Sequence, residues 1–200
     1  LRRTSAPVTV GRDRAAAGRR LLGEHPAVNI LVSDDGLQHH ALARDLQIIV
    51  FDRRGVGNGR VLPAGPLRQR MPKAPPPRSL VLYNAERATT AWPGALATRR
   101  LTGAVELSAW RAGASASPEI LTRLVEQSQD KPILAVAGLA EPERFFDMLS
   151  AAGLRARPLP LPDHASFENL PWPDHTPDVL VTEKDAVKIL PAPGSRTRIW

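Results

Sequence analysis

AVNILVSDDGLQHHALARDLQIIVFDRRGVGNGRVLPAGPLRQR, residues 27–70, is the stretch on which the reading of the whole chain turns. An apolar run over residues 28–32 delivers two adjacent carboxylates, Asp34 and Asp35, into a turn at Gly36, and a polar cluster of Gln38, His39 and His40 follows. A second apolar run, 46–51, delivers Asp52 into a loop rich in glycine and arginine. Strands that are apolar at nearly every residue are buried on both faces, which predicts a parallel sheet covered by helices. Two neighbouring strands are then expected to discharge their acids at the same sheet edge.

Outward from this stretch, residues 8–10 read as a short strand and 12–24 as a helix whose apolar face carries Ala15, Ala16, Leu21 and Leu22. Beyond Asp52, glycines at 55, 57, 59 and 65 with Pro63 and Pro66 forbid regular structure, so 53–70 is expected to be a long loop presenting Arg53, Arg54, Arg60, Arg68 and Arg70. Loops of that length in compact domains are functional or disordered. Residues 72–77 form a stiff proline spacer, 80–83 another strand, and 99–108 a pair of short strands.

The small-residue segment 112–118 is a linker, dividing the chain into a unit at 1–111, expected to hold a mostly parallel α/β sheet, and a smaller α/β unit at 112–200. In the second unit a helix is expected over 118–127, a buried strand over 133–137, and a helix over 141–152 that buries Phe145, Phe146 and Leu149 and stops at Gly153. Residues 154–161 are extended and lead into Pro162-Asp163-His164. A strand at 179–181 runs into Thr182-Glu183-Lys184-Asp185, which caps a short helix through about Ile189, and Arg198-Ile199-Trp200 reads as the start of a further strand.

Composition bounds the answer without naming a ligand. The 200 residues are 42% hydrophobic, enough for a real core, and carry a net charge of +7 with 27 Lys and Arg. Such an excess suits anionic partners, such as nucleotide, phosphorylated substrate, nucleic acid or acidic membrane; a GC-rich genome produces the same excess of arginine. With no cysteine, disulfides and thiolate metal sites are excluded. Every apolar run falls short of the roughly 20 residues that span a bilayer, so the chain as it stands is expected to be soluble or peripheral. It begins at Leu1 rather than methionine, and it is expected to be part of a longer protein.

Several residue groups could carry chemistry. In nucleotide-dependent phosphoryl transfer, a carboxylate at the end of a core strand commonly holds Mg²⁺ beside the phosphates, and Asp34 and Asp35 fit that place; acids after strands also serve as caps and turn formers. His39 and His40 are adjacent and lack a third ligand at helpful spacing, which speaks against zinc. Arginines of the 53–70 loop could clamp phosphate through paired hydrogen bonds, or could be ordinary solvated side chains. Asp163-His164 is a candidate acid–histidine pair, although adjacent residues rarely bond one another productively, so a partner carboxylate from elsewhere is expected. Asp174-His175 repeats the dipeptide. Thr182 and Asp185 read as helix cap and dipole partner, with Lys184 free to face an anion. No G-x-x-x-x-G-K-[ST] loop occurs in the 200 residues, nor a G-x-S-x-G or an H-E-x-x-H.

Taken in order, Ser33-Asp34-Asp35-Gly36-Leu37-Gln38-His39, Leu42-Ala43-Arg44-Asp45, Gly57-Asn58-Gly59-Arg60, Leu62-Pro63-Ala64-Gly65-Pro66-Leu67-Arg68, Ala137-Gly138, Pro142-Glu143-Arg144-Phe145-Phe146, Pro162-Asp163-His164 and Thr182-Glu183-Lys184-Asp185-Ala186-Val187-Lys188 closely resemble the lipid A 4′-kinase family. The resemblance implies a P-loop kinase that moves the ATP γ-phosphate to the 4′-hydroxyl of a tetraacylated disaccharide 1-phosphate, at the cytoplasmic face of a bacterial inner membrane that it contacts peripherally. It implies Mg²⁺ and phosphate duty for Asp34 and Asp35, catalytic roles for Arg68 and for His164 as the histidine assisting a catalytic aspartate, and substrate or nucleotide contact for Gln38, His39, Arg60 and Lys184. ATP and Mg²⁺ are the implied cofactors; no nucleic acid and no protein partner are implied. The family's phosphate-binding loop and catalytic-base motif have no match in these residues, so the isolated chain is expected to be inactive and to expose an unpaired sheet edge. The alternative reading is a non-catalytic basic module that holds an anionic lipid, nucleotide or nucleic acid; aromatic content of only 4% argues against nucleic acid.

Overall fold

A computed structural model describes residues 6–190 and 196–200, which fall in two compact units, Leu1–Thr98 and Arg99–Trp200. The division precedes the expected 111/112 boundary. Residues 99–111 join the second unit because Ala104 bridges to Ser117, Leu101 and Ala104 pack on that unit's core, and the Trp110 indole donates to Glu183 at 3.0 Å. The pair of short strands expected over 99–108 is absent among the described residues; the segment instead leads into a short helix, Leu107–Arg111.

In the first unit a helix, α1 (Arg14–Glu24), starts at Asp13, whose carboxylate accepts the Ala16 amide at 2.9 Å. Strands β1 (Gln47–Asp52), β2 (Ser79–Asn84) and β3 (Ala95–Leu96) form a parallel sheet in the order β1-β2-β3. Alternation along β1 and β2 sends Ile49, Val81 and Tyr83 to one face, where Trp92, Leu37, Phe51 and Met71 cover them. Tyr83 is the pivot of this core: its ring stacks on Phe51 with centroids 5.7 Å apart, and its hydroxyl donates to the Trp92 carbonyl at 2.6 Å.

The expectation of burial on both faces fails for this sheet, because Ile48, Val50 and Leu80 on its other face are exposed among the described residues. Nor do residues 8–10 and 28–32 form strands. The latter run is extended but has no ladder partner among the described residues, and Ile30 and Val32 are 74% and 91% exposed. An apolar run specifies side chains that prefer burial; a strand also needs a neighbour's N–H and C=O groups, and none is supplied here.

The second unit is covered on both faces. Its parallel sheet runs β5-β4-β6-β7, with β4 (Ile133–Ala137) and β6 (Asp178–Val181) inside, β5 (Ala156–Pro160) and β7 (Arg198–Ile199) outside. All five residues of β4 are buried. Ile133, Ala135 and Ala137 face Leu124, Phe145 and Leu149, whereas Leu134 and Val136 face Phe167, Trp172 and Ile189. Leu124 lies on the helix Pro118–Asp130, which Ser117 caps by accepting the Ile120 amide, with Pro118 in its first turn. Phe145 and Leu149 lie on Glu143–Ala151, which ends where Gly153 takes φ +84° and donates to the Ser150 carbonyl. No helix among the described residues is long and apolar enough to cross a membrane.

Candidate active site

In a parallel sheet, ligands meet the chain beyond the carboxyl ends of the strands. The loop after β1 in the first unit and three motifs of the second unit lie there.

In the first unit, β1 ends at Asp52, whose carboxylate accepts the Arg54 amide at 2.9 Å and pairs with its guanidinium. The following loop folds back on itself. Val61 bridges to Leu67, the Leu62 amide donates to the Leu67 carbonyl, and the Asn58 side chain donates to the Ala64 carbonyl at 2.8 Å. The Leu62–Pro63 peptide is cis. The Gly-Asn-Gly and Pro-Ala-Gly-Pro motifs thus form a compact scaffold that leaves Arg60 and Arg68 exposed on it.

Asp34 and Asp35 lie in a turn, not at the end of a paired strand, and both are exposed. The Arg44 guanidinium holds the turn by donating to the Gly36 and Leu37 carbonyls at 3.1 and 2.9 Å, while Leu37 packs on the Tyr83 core. Asp35 adopts φ +50°, a left-handed conformation that Asp tolerates in turns better than most non-glycine residues. Gln38 and His39 are half-buried in the next turn, where the His39 amide donates to the Gly36 carbonyl. No group of three His, Cys, Asp or Glu that could hold a metal exists among the described residues. The donor chemistry nevertheless fits Mg²⁺, which is commonly held by one or two carboxylates together with waters and substrate phosphates.

In the second unit, three strands deliver their motifs to one edge. β4 leads into Gly138, β5 into Pro162-Asp163-His164, and β6 into Thr182 and the short helix α5 (Glu183–Ala186). Asp185 of α5 is fully buried, with an exposure of 0%, and ties the three together. Its carboxylate accepts the Gly138 amide at 2.9 Å, the Thr182 hydroxyl at 2.9 Å and the Lys188 ammonium at 3.0 Å. The Lys188 ammonium also donates to the Ala165 carbonyl, beside the turn that carries His164. From sequence alone Asp185 reads only as a helix-dipole partner.

His164 has φ +60°, with the Ala165 amide closing the turn on the Pro162 carbonyl at 3.0 Å. That reversal changes the expectation for the acid–histidine pair. Asp163 accepts the His164 amide on Oδ1 at 3.0 Å, and its Oδ2 faces the imidazole Nε2 at 3.6 Å. Adjacent side chains diverge in extended backbone but turn toward each other here. Lys184, expected to face substrate or nucleotide, instead donates to Asp163 Oδ1 at 3.1 Å. That hydrogen bond holds the Asp163 carboxyl below its ordinary range. The repeated dipeptide Asp174-His175 is exposed, and among the described residues no ion pair joins its members.

Comparison with known proteins bears on what these edges serve. The chain is 55% identical over 203 residues to the tetraacyldisaccharide 4′-kinase of Leptothrix cholodnii, covering 100% of this chain and 57% of that protein. It is 52% identical over 206 residues to the enzyme of the same name from Methylibium petroleiphilum, with 99% and 56% covered. Its fold matches a crystal structure of LpxK from Aquifex aeolicus in complex with ATP, at a TM-score of 0.65 and 20% identity, over 95% of this chain and 57% of that one. The chain therefore spans somewhat more than half the length of the relatives it matches. The model of the tetraacyldisaccharide-1-P 4′-kinase family matches residues 1–200, and the chain belongs to that family.

Proposed function

We propose that this chain works within an ATP- and Mg²⁺-dependent kinase that phosphorylates the 4′-hydroxyl of a tetraacyldisaccharide 1-phosphate, a lipid A precursor, while in peripheral contact with the bacterial inner membrane. The observation that carries the reading is the family match over residues 1–200, supported by the second unit, where the motifs at Gly138, Pro162–His164 and Thr182–Asp185 follow the carboxyl ends of parallel strands. In this reaction a bond forms between the sugar 4′-oxygen and the γ-phosphorus, the bond from that phosphorus to the bridging oxygen of ADP breaks, and the hydroxyl proton passes to a base.

Asp34 and Asp35 would hold Mg²⁺, which when bound neutralises charge on the phosphates. Arg68 and Arg60, displayed by the self-closed loop, are suited to binding phosphate oxygens in planar, charge-assisted hydrogen bonds. Gln38 and His39 border the acidic turn and orient groups there. His164 helps to take up the acceptor proton. ATP is the nucleotide in the crystallised Aquifex relative, which supports its assignment here.

The test is transfer of labelled γ-phosphate from ATP to a tetraacyldisaccharide 1-phosphate by the gene product at the full length of its relatives. Substrate-dependent incorporation is expected, with Asp34→Ala reducing turnover by at least about a hundredfold. A folded full-length protein that transfers no phosphate would overturn the reading. If it instead only binds anionic vesicles or nucleotide in a salt-sensitive manner, the non-catalytic basic module is the better description.

A further inference from the structure

We propose that Asp163 is a positioning residue for His164, and that Lys184 serves the site by anchoring Asp163 and not by contacting nucleotide or lipid. The inference rests on the reading of His164 as a side chain that handles the acceptor proton.

The geometry divides the work of one carboxylate between its two oxygens. Oδ1 is occupied by the Lys184 ammonium at 3.1 Å and the His164 amide at 3.0 Å, so the carboxylate cannot rotate freely. Oδ2 is left directed at the imidazole Nε2, 3.6 Å away. The His164 side chain is 77% exposed at the tip of a turn, and nothing in such a place restricts its rotamers unless a neighbour does. Asp163 is that neighbour.

The support beneath the turn is rigid. Lys188 donates both to Asp185 and to the Ala165 carbonyl. The Gly138 amide is held by Asp185, and a Cβ on Gly138 would meet Ala165 Cβ at 3.3 Å and the Pro162 carbonyl at 3.5 Å. The Pro162–Ala165 turn is thus seated on the end of β4, and α5 and the turn that follows it supply the two lysines that hold it, Lys184 and Lys188. A left-handed histidine persists where surrounding contacts over-determine it. Here those contacts fix a proton-handling ring by way of its preceding residue.

The experiment uses the full-length kinase with Asp163→Asn, Lys184→Met, Lys184→Arg, His164→Ala and the double variant Asp163→Asn/His164→Ala, each checked for an unchanged melting temperature. Asp163→Asn is expected to lower kcat by about tenfold with KM for ATP and lipid unchanged within about twofold, the signature of lost orientation at the reacting centre. Lys184→Met should act in the same direction and Lys184→Arg should recover most of the loss. The double variant should be no slower than His164→Ala alone, because Asp163 has nothing to position once the ring is gone.

Multiplying losses in the double variant, or a raised KM for ATP with intact kcat in Lys184→Met, would overturn the proposal. If His164→Ala is inactive while Asp163→Asn is wild type, positioning fails and the role of His164 stands. If His164→Ala itself retains full kcat, the reading of His164 fails, and the positioning proposal falls with it.

Discussion

The buried Asp185 carboxylate accepts the backbone N–H of Gly138 at 2.9 Å, and this one bond joins the residue after β4 to the first turn of α5. A side chain that reads as a helix-dipole partner is the fastening of a three-strand edge.

Asp185→Ala should therefore destabilise the second unit by about 3 kcal/mol, since it leaves the Gly138 amide and the half-buried Lys188 ammonium without their partner. The lower end of the range for broken buried pairs applies because Lys188 retains some access to water. Gly138→Ala should cost about 1–2 kcal/mol, as its Cβ would lie 3.1 Å from Asp185 Oδ1. Urea denaturation of the single variants and of their combination checks both values, and the losses should not add.

Acid should loosen the same unit through Asp178. Burial raises its pKa, but hydrogen bonds from Trp200, Arg198 and Gln127 outweigh burial and leave it below the ordinary 3.8. A carboxyl with a lowered folded-state pKa binds fewer protons folded than unfolded, so its contribution is complete above about 3.8 and is lost as pH falls further. Melting temperatures from pH 6 to pH 2 should show this decline, and Asp178→Asn should flatten it while lowering stability throughout.

Tyr83→Phe isolates the polar centre of the first unit. The Tyr83 hydroxyl donates to the Trp92 carbonyl at 2.6 Å and meets the Thr90 hydroxyl at 2.5 Å, so its removal takes this donor from the Trp92 carbonyl beside a fully buried ring, while Thr90 Oγ1 keeps the Trp92 amide. A loss of about 1–2 kcal/mol is expected from the first unit's unfolding transition, with the second unit's transition unmoved.

His164 offers a contrast of opposite sign. At φ +60° a Cβ is unfavourable, so His164→Gly should be more stable than His164→Ala by about 1 kcal/mol, although both remove the imidazole and should be equally slow as full-length enzymes. Thermal melts against turnover separate backbone strain from chemistry.

The legible parts of the fold were those written in local pattern. Ile133–Ala137 is apolar at every position and is buried at every position; Ser117-Pro118 starts its helix and Gly153 ends the next. What could not be read depends on partners distant in sequence. The run at 28–32 has the same apolar character as β4, yet pairing is a property of two segments, and no second one meets it among the described residues. The two-residue strand Ala95–Leu96 is shorter than any period. At the site, the residue types and their motifs were visible, but the Asp163–His164 contact depends on a left-handed backbone that composition does not announce. The burial of Asp185 depends on Gly138, far away in the chain, lying beside it.

Every ladder in both sheets is parallel, and this bears on how fast the chain can fold. Parallel neighbours cannot be joined by a tight turn, so even Ala137 and Ala156, flanking a single helix, must close a long loop before their strands share a hydrogen bond. No sheet ladder among the described residues joins strands that a tight turn could connect, and collapse will precede register. During refolding, unpaired strand edges will coexist with apolar side chains, so dilute protein, low temperature and a chaperone should raise the yield of native chain more than any substitution on its surface.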